Sequence, residues 1–424
     1  MNRRKILILT YYWPPASGPA VNRILSWVKH LTEQKHEVHI LTVANPNNLA
    51  EDEQLVREIP DGVLVHKSKT FEPFPIYKLL GGQKKTKVTV GLPKGKGSTF
   101  SKIALWLRLN LFIPDPRIGW KYTAIRAGTK LVRDHNIDIL ISSSPPHSTQ
   151  VIAASICKKT KVKWYADLRD PWTKLYHYDH PLKSIQAKRK ERRIEKRILA
   201  QADHVLTVGQ KLAEDFDSIA SSTSVIYNGY PQKDYHLKKI NSSHFRIGYI
   251  GNVSANETDH ELWPALNSIL NNGKYSNLQL SFTGKTDQSL HQKISHFNLR
   301  EIVQLNGYQS HQFALNEITN SDLLVLIIPF AKENKYIITS KIFEYLNSHN
   351  PILGIGPIEG EAAEILNSTS YCKMFEYSDK TGIENFIENV YQNRPKPSQS
   401  DKDFILQFSR KKQAQILENL LLNG

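Results

Sequence analysis

Short aliphatic runs of strand length alternate with helical patterns along almost the whole chain. The runs are nearly continuous in apolar residues, as expected for strands of a parallel sheet that helices cover on both faces. The first series is residues 5–10, 37–42, 63–68, 137–142, 162–167, 204–208 and 224–227. The second series is residues 245–250, 278–283, 302–305, 323–328, 352–355 and 371–375. Each series predicts one doubly wound α/β domain.

The segment between the two series is polar, carries Gly229 and Pro231, and lacks periodicity, which indicates a linker. We therefore expect an N-terminal domain over residues 1–228, a linker over 229–243 and a C-terminal domain over 244–400. Residues 404–422 have a helical pattern. Residues 401–424 are accordingly predicted to be a C-terminal helix that could return to pack on the N-terminal domain.

Positive charge is in excess, with 56 Lys and Arg against 40 Asp and Glu, and it is concentrated in two stretches. Residues 78–102 hold seven lysines and no acid, and residues 183–197 hold eight basic residues and two glutamates. The amphipathic stretch IALWLRLNLFIPDPRIGW follows the first of them. Basic and apolar side chains together favour a peripheral contact with an anionic membrane surface. A solvated loop followed by a core helix explains the same pattern equally well.

Neither the cysteines nor the apolar runs indicate export or membrane insertion. Cys157 and Cys372 lie far apart, so they suggest no disulfide framework or zinc site. The longest apolar run, residues 323–328, is far shorter than the ~18–20 residues of a spanning helix. The apolar part of the first residues is too short for a signal peptide, and the chain is expected to be cytoplasmic.

Two loops of the first half follow strand ends, where ligands bind in open α/β sheets. In YYWPPASGPAVNRI, prolines and Gly18 form a tight loop and a helix begins near Ser17. Gly18 could let backbone N–H groups approach an anion, or it could serve a simple turn. In SSSPPHST, His147 could hydrogen-bond a sugar hydroxyl, or it could be an ordinary loop histidine.

A third strand of the first half ends in the charged segment ADLRDPW. Its charged residues Asp167, Arg169 and Asp170 could orient a substrate through charge-assisted hydrogen bonds. Equally, they could form a structural ion-pair network that fixes the strand to the next helix.

In the second half, SKIFEYLNSHNPIL predicts a helix with Thr339 or Ser340 as its N-cap. Lys341 in its first turn suits a diphosphate, and Glu344 one turn further could accept two ribose hydroxyls. An ordinary capped helix is the alternative. Glycines 251, 284 and 307 each follow a strand; three such junctions in succession indicate a ligand surface along that edge.

Taken in order, these segments resemble glycosyltransferase family 4, the retaining sugar-nucleotide transferases of the GT-B fold. They are most similar to the bacterial members that build cell-surface polysaccharides. The resemblance rests on YYWPPASGPAVNRI, SSSPPHST, ADLRDPW, YNGY, IGYIGNV and SKIFEYLNSHNPIL, and it spans roughly residues 5–370.

The resemblance implies two Rossmann-like domains that face each other across a cleft, with the nucleotide mainly on the C-terminal domain. It implies no bound cofactor and no metal, because a helix dipole and basic side chains neutralise the diphosphate. The implied catalytic residues are His147, Glu344 and Lys341. Lys341 would lie near the phosphates, Glu344 would bind the ribose, and His147 would contact the donor sugar and stabilise the reacting ring. The implied donor-binding residues are Gly18, Gly251, Asn252, Lys285, Gly307, Tyr308, Thr339 and Ser340. On the acceptor side, or in orienting roles, stand Asp167, Arg169 and Asp170.

The sequence departs from the family pattern at two places. Many members have a second glutamate where this chain has Tyr336, and many carry Arg and Lys in the loop that here reads GNVS. Neutralisation of the diphosphate would then depend on Lys285, Lys335 and Lys341.

The predicted partners are a nucleotide-sugar donor and a saccharide or lipid-linked acceptor, with an anionic inner-membrane surface as a further candidate. A sugar-nucleotide epimerase of the same architecture is the first alternative. A basic nucleic-acid-binding protein is the second, but the basic stretches lack interleaved aromatic residues and no DNA-binding motif is present. We therefore expect no nucleic acid as a partner.

Overall fold

The computed structural model describes residues 3–46, 51–72, 99–174, 180–231, 242–273, 275 and 277–423. The chain forms two compact units, the first made of Met1–Tyr227 with Gln413–Gly424 and the second of Asn228–Lys412. Residues 78–98 of the first lysine-rich stretch and residues 232–241 of the predicted linker lie outside the described residues.

The first unit is a seven-stranded parallel sheet in the order β3-β2-β1-β4-β5-β6-β7. Its strands are β1 (Lys5–Thr10), β2 (Glu37–Val43), β3 (Leu64–Ser68), β4 (Ile139–Ser144), β5 (Lys163–Leu168), β6 (His204–Thr207) and β7 (Thr223–Val225). The strand order reverses between β1 and β4, which is the switch point where open α/β sheets form a ligand crevice at the carboxyl ends of their strands.

Helices cover both faces of this sheet. They are α1 (Pro19–Glu33), α2 (Gln54–Arg57), α3 (Thr99–Leu111), α4 (Lys121–His135), α5 (Ser148–Thr160), α6 (Ile185–Leu199) and α7 (Gln210–Asp217), with a 3-10 turn at Pro116–Trp120. The apolar stripe of α1 explains its position, because Val21, Ile24 and Val28 recur at helical spacing and are fully buried. Eight basic residues of the second lysine-rich stretch fall on or just before α6, whose Glu191 pairs with Lys183.

The second unit is a six-stranded parallel sheet in the order β10-β9-β8-β11-β12-β13. Its strands are β8 (Phe245–Ile250), β9 (Leu278–Thr283), β10 (Val303–Gly307), β11 (Leu323–Ile327), β12 (Ile352–Ile355) and β13 (Lys373–Phe375). Its helices are α8 (Leu262–Asn271), α9 (Gln288–His296), α10 (His311–Asn320), α11 (Lys341–Asn347), α12 (Glu361–Asn367), α13 (Lys380–Asn393) and α14 (Gln399–Leu406). Here the order reverses between β8 and β11, so the switch point lies between those two strands.

All thirteen predicted strands are present, with small shifts at their ends, which confirms the prediction of two parallel-sheet α/β domains. The single helix predicted over residues 404–422 is wrong, because α14 ends at Leu406 and α15 (Arg410–Asn423) begins after a break. In the break, the Phe408 carbonyl accepts a hydrogen bond from the Tyr230 N–H, and the Arg410 N–H donates to the Tyr230 carbonyl. Pairing with Tyr230 therefore replaces the helical hydrogen bonds at this point.

The end of the chain belongs to the first unit. Ala414, Leu417 and Leu421 of α15 are buried in the same apolar cluster as Ile24 and Leu25 of α1. The Glu418 carboxylate lies 2.8 Å from Nε2 of His30 and 3.1 Å from Nε2 of His36. Within the described parts of the chain, no helix is long and apolar enough to cross a membrane.

Candidate functional site

Three glycines lie at the carboxyl ends of the adjacent strands β8, β9 and β10 of the second sheet, two just after their strands and Gly307 as the last residue of β10. Gly251 has a φ of 137°, Gly284 of 145° and Gly307 of 66°. A Cβ on Gly284 would lie only 2.2 Å from the carbonyl oxygen of Gly251. The backbones of the first two loops therefore approach each other at a distance that only glycine permits. This places the three predicted glycines on one continuous edge of the sheet.

Lys341 lies directly over Gly251. A Cβ on Gly251 would be 2.3 Å from Cε and 2.6 Å from Nζ of Lys341. The Lys341 ammonium donates a hydrogen bond of 2.7 Å to the hydroxyl of Tyr249 and sits 4.3 Å from the centroid of that ring. Burial lowers the pKa of Lys341, and the nearby charge of Glu257 opposes this shift. The loop after β8 and the start of α11 thus form one site at the switch point of the sheet.

Tyr249 connects this lysine to a buried carboxylate. Its hydroxyl lies 3.1 Å from the Asn252 carbonyl oxygen and 3.1 Å from Oε1 of Glu257, so its single proton is donated to one of these two acceptors. Oε2 of Glu257 accepts hydrogen bonds from the N–H and hydroxyl of Ser254. Burial, and then Glu257, raise the pKa of Tyr249 well above its ordinary value, so the phenol is neutral.

Helix α11 is fixed to the end of β8. The Ile250 N–H donates to the Tyr345 hydroxyl at 2.8 Å, and that hydroxyl donates to the Ile250 carbonyl at 3.2 Å. Ser340 stands at the N-cap position, as predicted, but it has helical backbone angles and its side chain makes no capping hydrogen bond. Thr339 does not cap the helix either, because its buried hydroxyl has no hydrogen-bond partner among the described residues. The two tyrosine bonds, rather than a cap, hold Lys341 in place.

Glu344 lies one turn after Lys341, in the first turn of the same helix, and is half-buried. Burial raises the pKa of its carboxyl group, while His311 and Arg410 act in the opposite direction. A half-buried carboxylate with cationic neighbours can accept hydrogen bonds from hydroxyl groups.

The remaining donor-side candidates lie on the neighbouring loops. The backbone N–H of Lys285 donates to Oδ1 of Asn252 at 3.0 Å. The ammonium of Lys285 lies 5.9 Å from the ring centroid of Tyr308, whose side chain is 78% exposed. Lys335 lies on the separate 3-10 turn Asn334–Tyr336, with its ammonium 5.1 Å from the ring of Tyr336. Asn252, Lys285 and Tyr308 therefore extend the Gly251–Lys341 group along the sheet edge.

In the first unit, Gly18 and His147 follow the two strands that flank the switch point, β1 and β4. Gly18 has a φ of 119° and immediately precedes α1, and a Cβ there would meet nothing within 4 Å. His147 is buried and stacks on Trp172, with ring centroids 4.7 Å apart. Next to it, the carboxylate of Asp115 accepts hydrogen bonds from the N–H and hydroxyl of Ser148.

Asp167 is fully buried in an ion pair. Its Oδ1 lies 2.7 Å from the guanidinium of Arg23, which is itself 1% exposed, and its Oδ2 accepts a hydrogen bond from Ser143. Arg23 also donates to the carbonyl of Ile226. This network links β5 to α1 and β4, and not to the helix that follows β5 in the chain.

Arg169 and Asp170 are only half-buried. The Arg169 guanidinium donates to the Pro145 carbonyl at 2.7 Å, and burial lowers its pKa against the raising effect of Asp167 and Asp170. Arg169 therefore lies against the His147 loop, although it comes from a different strand.

Two residues of the site, Tyr249 and Glu257, did not emerge from the sequence. Both lie in residues 247–257, IGYIGNVSANE, a segment that begins with the quoted IGYIGNV. The only signal was a tyrosine in a mostly apolar strand, together with a glutamate three residues after Ser254.

Known proteins resemble this chain in part of its sequence and in its fold. Residues 76–233 match the model of Glycosyltransferase Family 4, whereas the sequence matches no curated protein. Among solved structures, HepE from Anabaena, in complex with UDP and glucose, matches with a TM-score of 0.61 at 14% identity over all of both chains. Sucrose-phosphate synthase from Thermosynechococcus elongatus matches with a TM-score of 0.64 at 13% identity over 99% of each chain.

Two further structures show how widely this fold is used. The lipopolysaccharide outer core galactosyltransferase WaaB matches with a TM-score of 0.60 at 12% identity over 99% of each chain. A putative UDP-N-acetylglucosamine 2-epimerase from Listeria monocytogenes matches with a TM-score of 0.55 at 10% identity, over 98% of this chain and 95% of the other. At such identities the likeness shows the fold. The family match over residues 76–233 and this shared GT-B fold together confirm the resemblance to glycosyltransferase family 4.

Proposed function

We propose that the protein transfers a sugar from a nucleotide diphosphate sugar to a saccharide or lipid-linked acceptor, with retention of anomeric configuration, in cell-surface polysaccharide synthesis. One observation carries the donor side of this proposal: the Lys341 ammonium lies over the Gly251 backbone at the switch point of the second sheet. Anionic ligands of open α/β sheets bind at such a place.

The chemistry of Lys341 suits a diphosphate. An ammonium group has three N–H donors, and the Tyr249 hydroxyl accepts one of them. Burial without full charge compensation lowers the pKa of Lys341, so a bound anion would stabilise its charged form. Lys285 on the next loop would add a second positive charge. Because Gly251 has no side chain, a phosphate oxygen could approach its backbone closely.

In this proposal the two lysines take the role that a metal ion has in other sugar transferases. Negative charge grows on the leaving diphosphate in the oxocarbenium-like transition state, and Lys341 would stabilise it. Transfer should then continue at its full rate in EDTA, and an absolute requirement for a divalent ion would refute this part of the proposal.

Glu344 is proposed to bind the ribose hydroxyls, since it stands on the same helix as Lys341 and one turn away. Glu344→Gln keeps the size of the side chain but removes the charge, and should weaken donor binding about tenfold or more, as expected for hydrogen bonds of ~1.5–3 kcal/mol to a charged group. Glu364→Gln, on the neighbouring α12, is a matched control that should leave donor affinity unchanged. Equal donor affinities in all three proteins would refute the ribose assignment.

In the first unit, His147 and Gly18 are proposed to contact the donor sugar, because both follow strands that flank the switch point. The stack of His147 on Trp172 fixes the plane of the imidazole. His147→Ala should reduce the transfer rate; transfer at the wild-type rate would remove His147 from the site. Asp167 is proposed to orient the end of β5 through its ion pair with Arg23, and Arg169 to support the loop of His147.

The fold alone does not separate sugar transfer from epimerisation. Incubation with a nucleotide sugar and no acceptor distinguishes them, because an epimerase would produce an isomerised nucleotide sugar. We expect no isomerised product, and its accumulation would favour the epimerase.

A panel of UDP-, GDP- and dTDP-sugars, read by thermal unfolding, tests the donor class directly. A ligand at one hundred times its dissociation constant stabilises the native state by about 2.7 kcal/mol. One nucleotide class should raise the melting temperature of the wild type, and Lys341→Ala should reduce this rise. A panel without any stabilising nucleotide would refute the proposed donor.

A peripheral contact with anionic lipid is proposed for α3, which follows the first lysine-rich stretch. Its side chains Ile103, Trp106 and Leu111 are 53%, 43% and 63% exposed, whereas Leu105 is buried. The exposed apolar side chains could insert among lipid headgroups beside the lysines. At low salt the wild type should sediment together with anionic vesicles, and Trp106→Gln should reduce the fraction of protein in the pellet. No binding of the wild type to anionic vesicles would refute this contact.

A further inference from the structure

Three histidines converge near the amino-terminal edge of the first sheet, on the side opposite to Gly18 and His147. His39 lies in β2, His66 in the edge strand β3, and His135 is the last residue of α4. One ring nitrogen from each histidine can be chosen so that the three nitrogens all lie within 4.8 Å of one another. Within the described parts of the chain, this is the one group of histidine, cysteine or carboxylate side chains with such spacing.

The fold explains why these side chains meet. Parallel pairing sets Leu41 beside His66, and His39 is two residues before Leu41, so His39 and His66 point to the same face of the sheet. Helix α4 packs on β2 and β3 and ends at His135. The Lys5 ammonium donates to the His135 carbonyl at 3.0 Å, which fixes the end of the helix beside the strands.

The histidine tautomers suit a metal ion. Oε1 of Glu37 lies 3.0 Å from Nε2 of His39. An ionised carboxylate can only accept a hydrogen bond, so Nε2 of His39 donates it and carries the proton. Nδ1 of His39 is then left with its lone pair toward Nε2 of His66, 3.1 Å away. A carboxylate that accepts from the outer nitrogen of a histidine is the usual support of a metal-binding imidazole.

The distances fit as well. Two imidazole nitrogens on a tetrahedral zinc ion lie about 3.4 Å apart, since Zn–N bonds measure about 2.0–2.1 Å. The 3.1 Å between His39 and His66 requires only a small separation to admit the ion. His39 is fully buried, whereas His66 and His135 are half-buried, which leaves the outer side open to a water molecule as fourth ligand.

We propose that His39, His66 and His135 bind a divalent transition-metal ion, with zinc the best match to three imidazoles and a water. The ion joins β2, the edge strand β3 and the end of α4. In the metal-bound form, His66 would carry its proton on Nδ1 and offer the lone pair of Nε2 to the metal. The positive charges of Lys5 and Arg3, both within 4 Å of Glu37, oppose the binding of a cation. The metal ion would be held by its bonds to the imidazole nitrogens, which bind a metal in their neutral form.

The test uses the full-length chain, stripped with EDTA and then titrated with zinc chloride by calorimetry and thermal unfolding. The wild type should bind one zinc ion at this site, and its melting temperature should rise by about 5–10 °C at one hundred times the dissociation constant. Cobalt should give the visible absorption of a tetrahedral complex. His66 and His135 are half-buried, so the protein should tolerate His66→Gln and His135→Gln. Each substitution should weaken zinc binding at least about tenfold.

Two further variants separate a metal site from packed histidines. Glu37→Gln should weaken zinc binding about 10- to 100-fold, although Glu37 does not touch the ion. His296→Gln removes an exposed histidine of the second unit and should leave the zinc affinity unchanged. Zinc affinity that is equal in the wild type and in the His66 and His135 variants would overturn the proposal, as would a wild type that zinc does not stabilise.

Discussion

Tyr249→Phe removes a single oxygen atom and tests whether the Lys341 position depends on it. In the wild type the Tyr249 hydroxyl accepts from the Lys341 ammonium at 2.7 Å and faces Glu257 at 3.1 Å. A hydrogen bond to a charged group contributes about 1.5–3 kcal/mol. At about 2–4 °C per kcal/mol for a unit of this size, the melting temperature should fall by about 3–12 °C.

Donor binding should weaken as well, because a released lysine must be ordered again when the diphosphate binds. Ordering a lysine side chain costs up to about 2 kcal/mol, so the donor affinity should fall by up to about 30-fold. Isothermal titration with the nucleotide diphosphate measures this change directly. The acceptor affinity should stay the same, since Tyr249 acts only through Lys341.

Tyr391→Phe is the matched control. It removes a neutral hydrogen bond of 2.7 Å from Tyr391 to Asn277 in the same unit, worth about 0.5–1.5 kcal/mol. It should cost stability without changing donor affinity. If Tyr249→Phe binds the diphosphate as tightly as the wild type, the placement of Lys341 at the diphosphate is refuted.

Three further outcomes are expected. Gly251→Ala forces a methyl group into the space of the Lys341 ammonium and should abolish donor binding. Its control is Gly273→Ala, also at positive φ but with open space around it, which should only lower stability by about 1–2 kcal/mol. Donor binding by Gly251→Ala would count against the site. Asp167→Asn removes the carboxylate that pairs with the buried Arg23 and should destabilise the first unit by about 3–5 kcal/mol in thermal unfolding. A loss below 1 kcal/mol would contradict the network. Burial lowers the pKa of His260 to about 4, so its contribution to stability is lost as the pH falls from about 6.5 toward 4. Between pH 7 and 5, the free energy of unfolding in urea should fall by about 2 kcal/mol more for the wild type than for His260→Gln. Equal losses in the two proteins would show that His260 is not the cause.

The strands were predictable because buried parallel strands leave a strong local signal, an unbroken apolar run such as residues 323–327. The glycines at the strand ends were also predictable from a local signal, because a tight turn after a strand requires glycine at that position. The helix break at Phe408 was not, because it depends on hydrogen bonds with Tyr230, far away in the sequence. Local periodicity continues through the break and conceals it.

Side-chain partners were the part that the sequence could not provide. Lys341 was identified from its motif, but its contact with Tyr249 joins residues 92 positions apart. The pairing of Arg23 with Asp167 spans 144 positions, and only the fold shows that this aspartate is fully enclosed. The three histidines come from two strands and one helix, with no shared motif. Such groups are set by register and packing, which a linear pattern does not record.

The return of the chain to its first unit has a consequence for synthesis. The segment Gln413–Gly424 supplies Leu417 and Leu421 to a core whose other residues were made hundreds of codons earlier. On the ribosome, the first unit must therefore wait with an apolar groove uncovered while the whole second unit emerges and folds. The second unit is continuous in sequence and can fold as soon as it has left the exit tunnel. A stop codon before residue 413 would deprive the first unit, not the second, of part of its core.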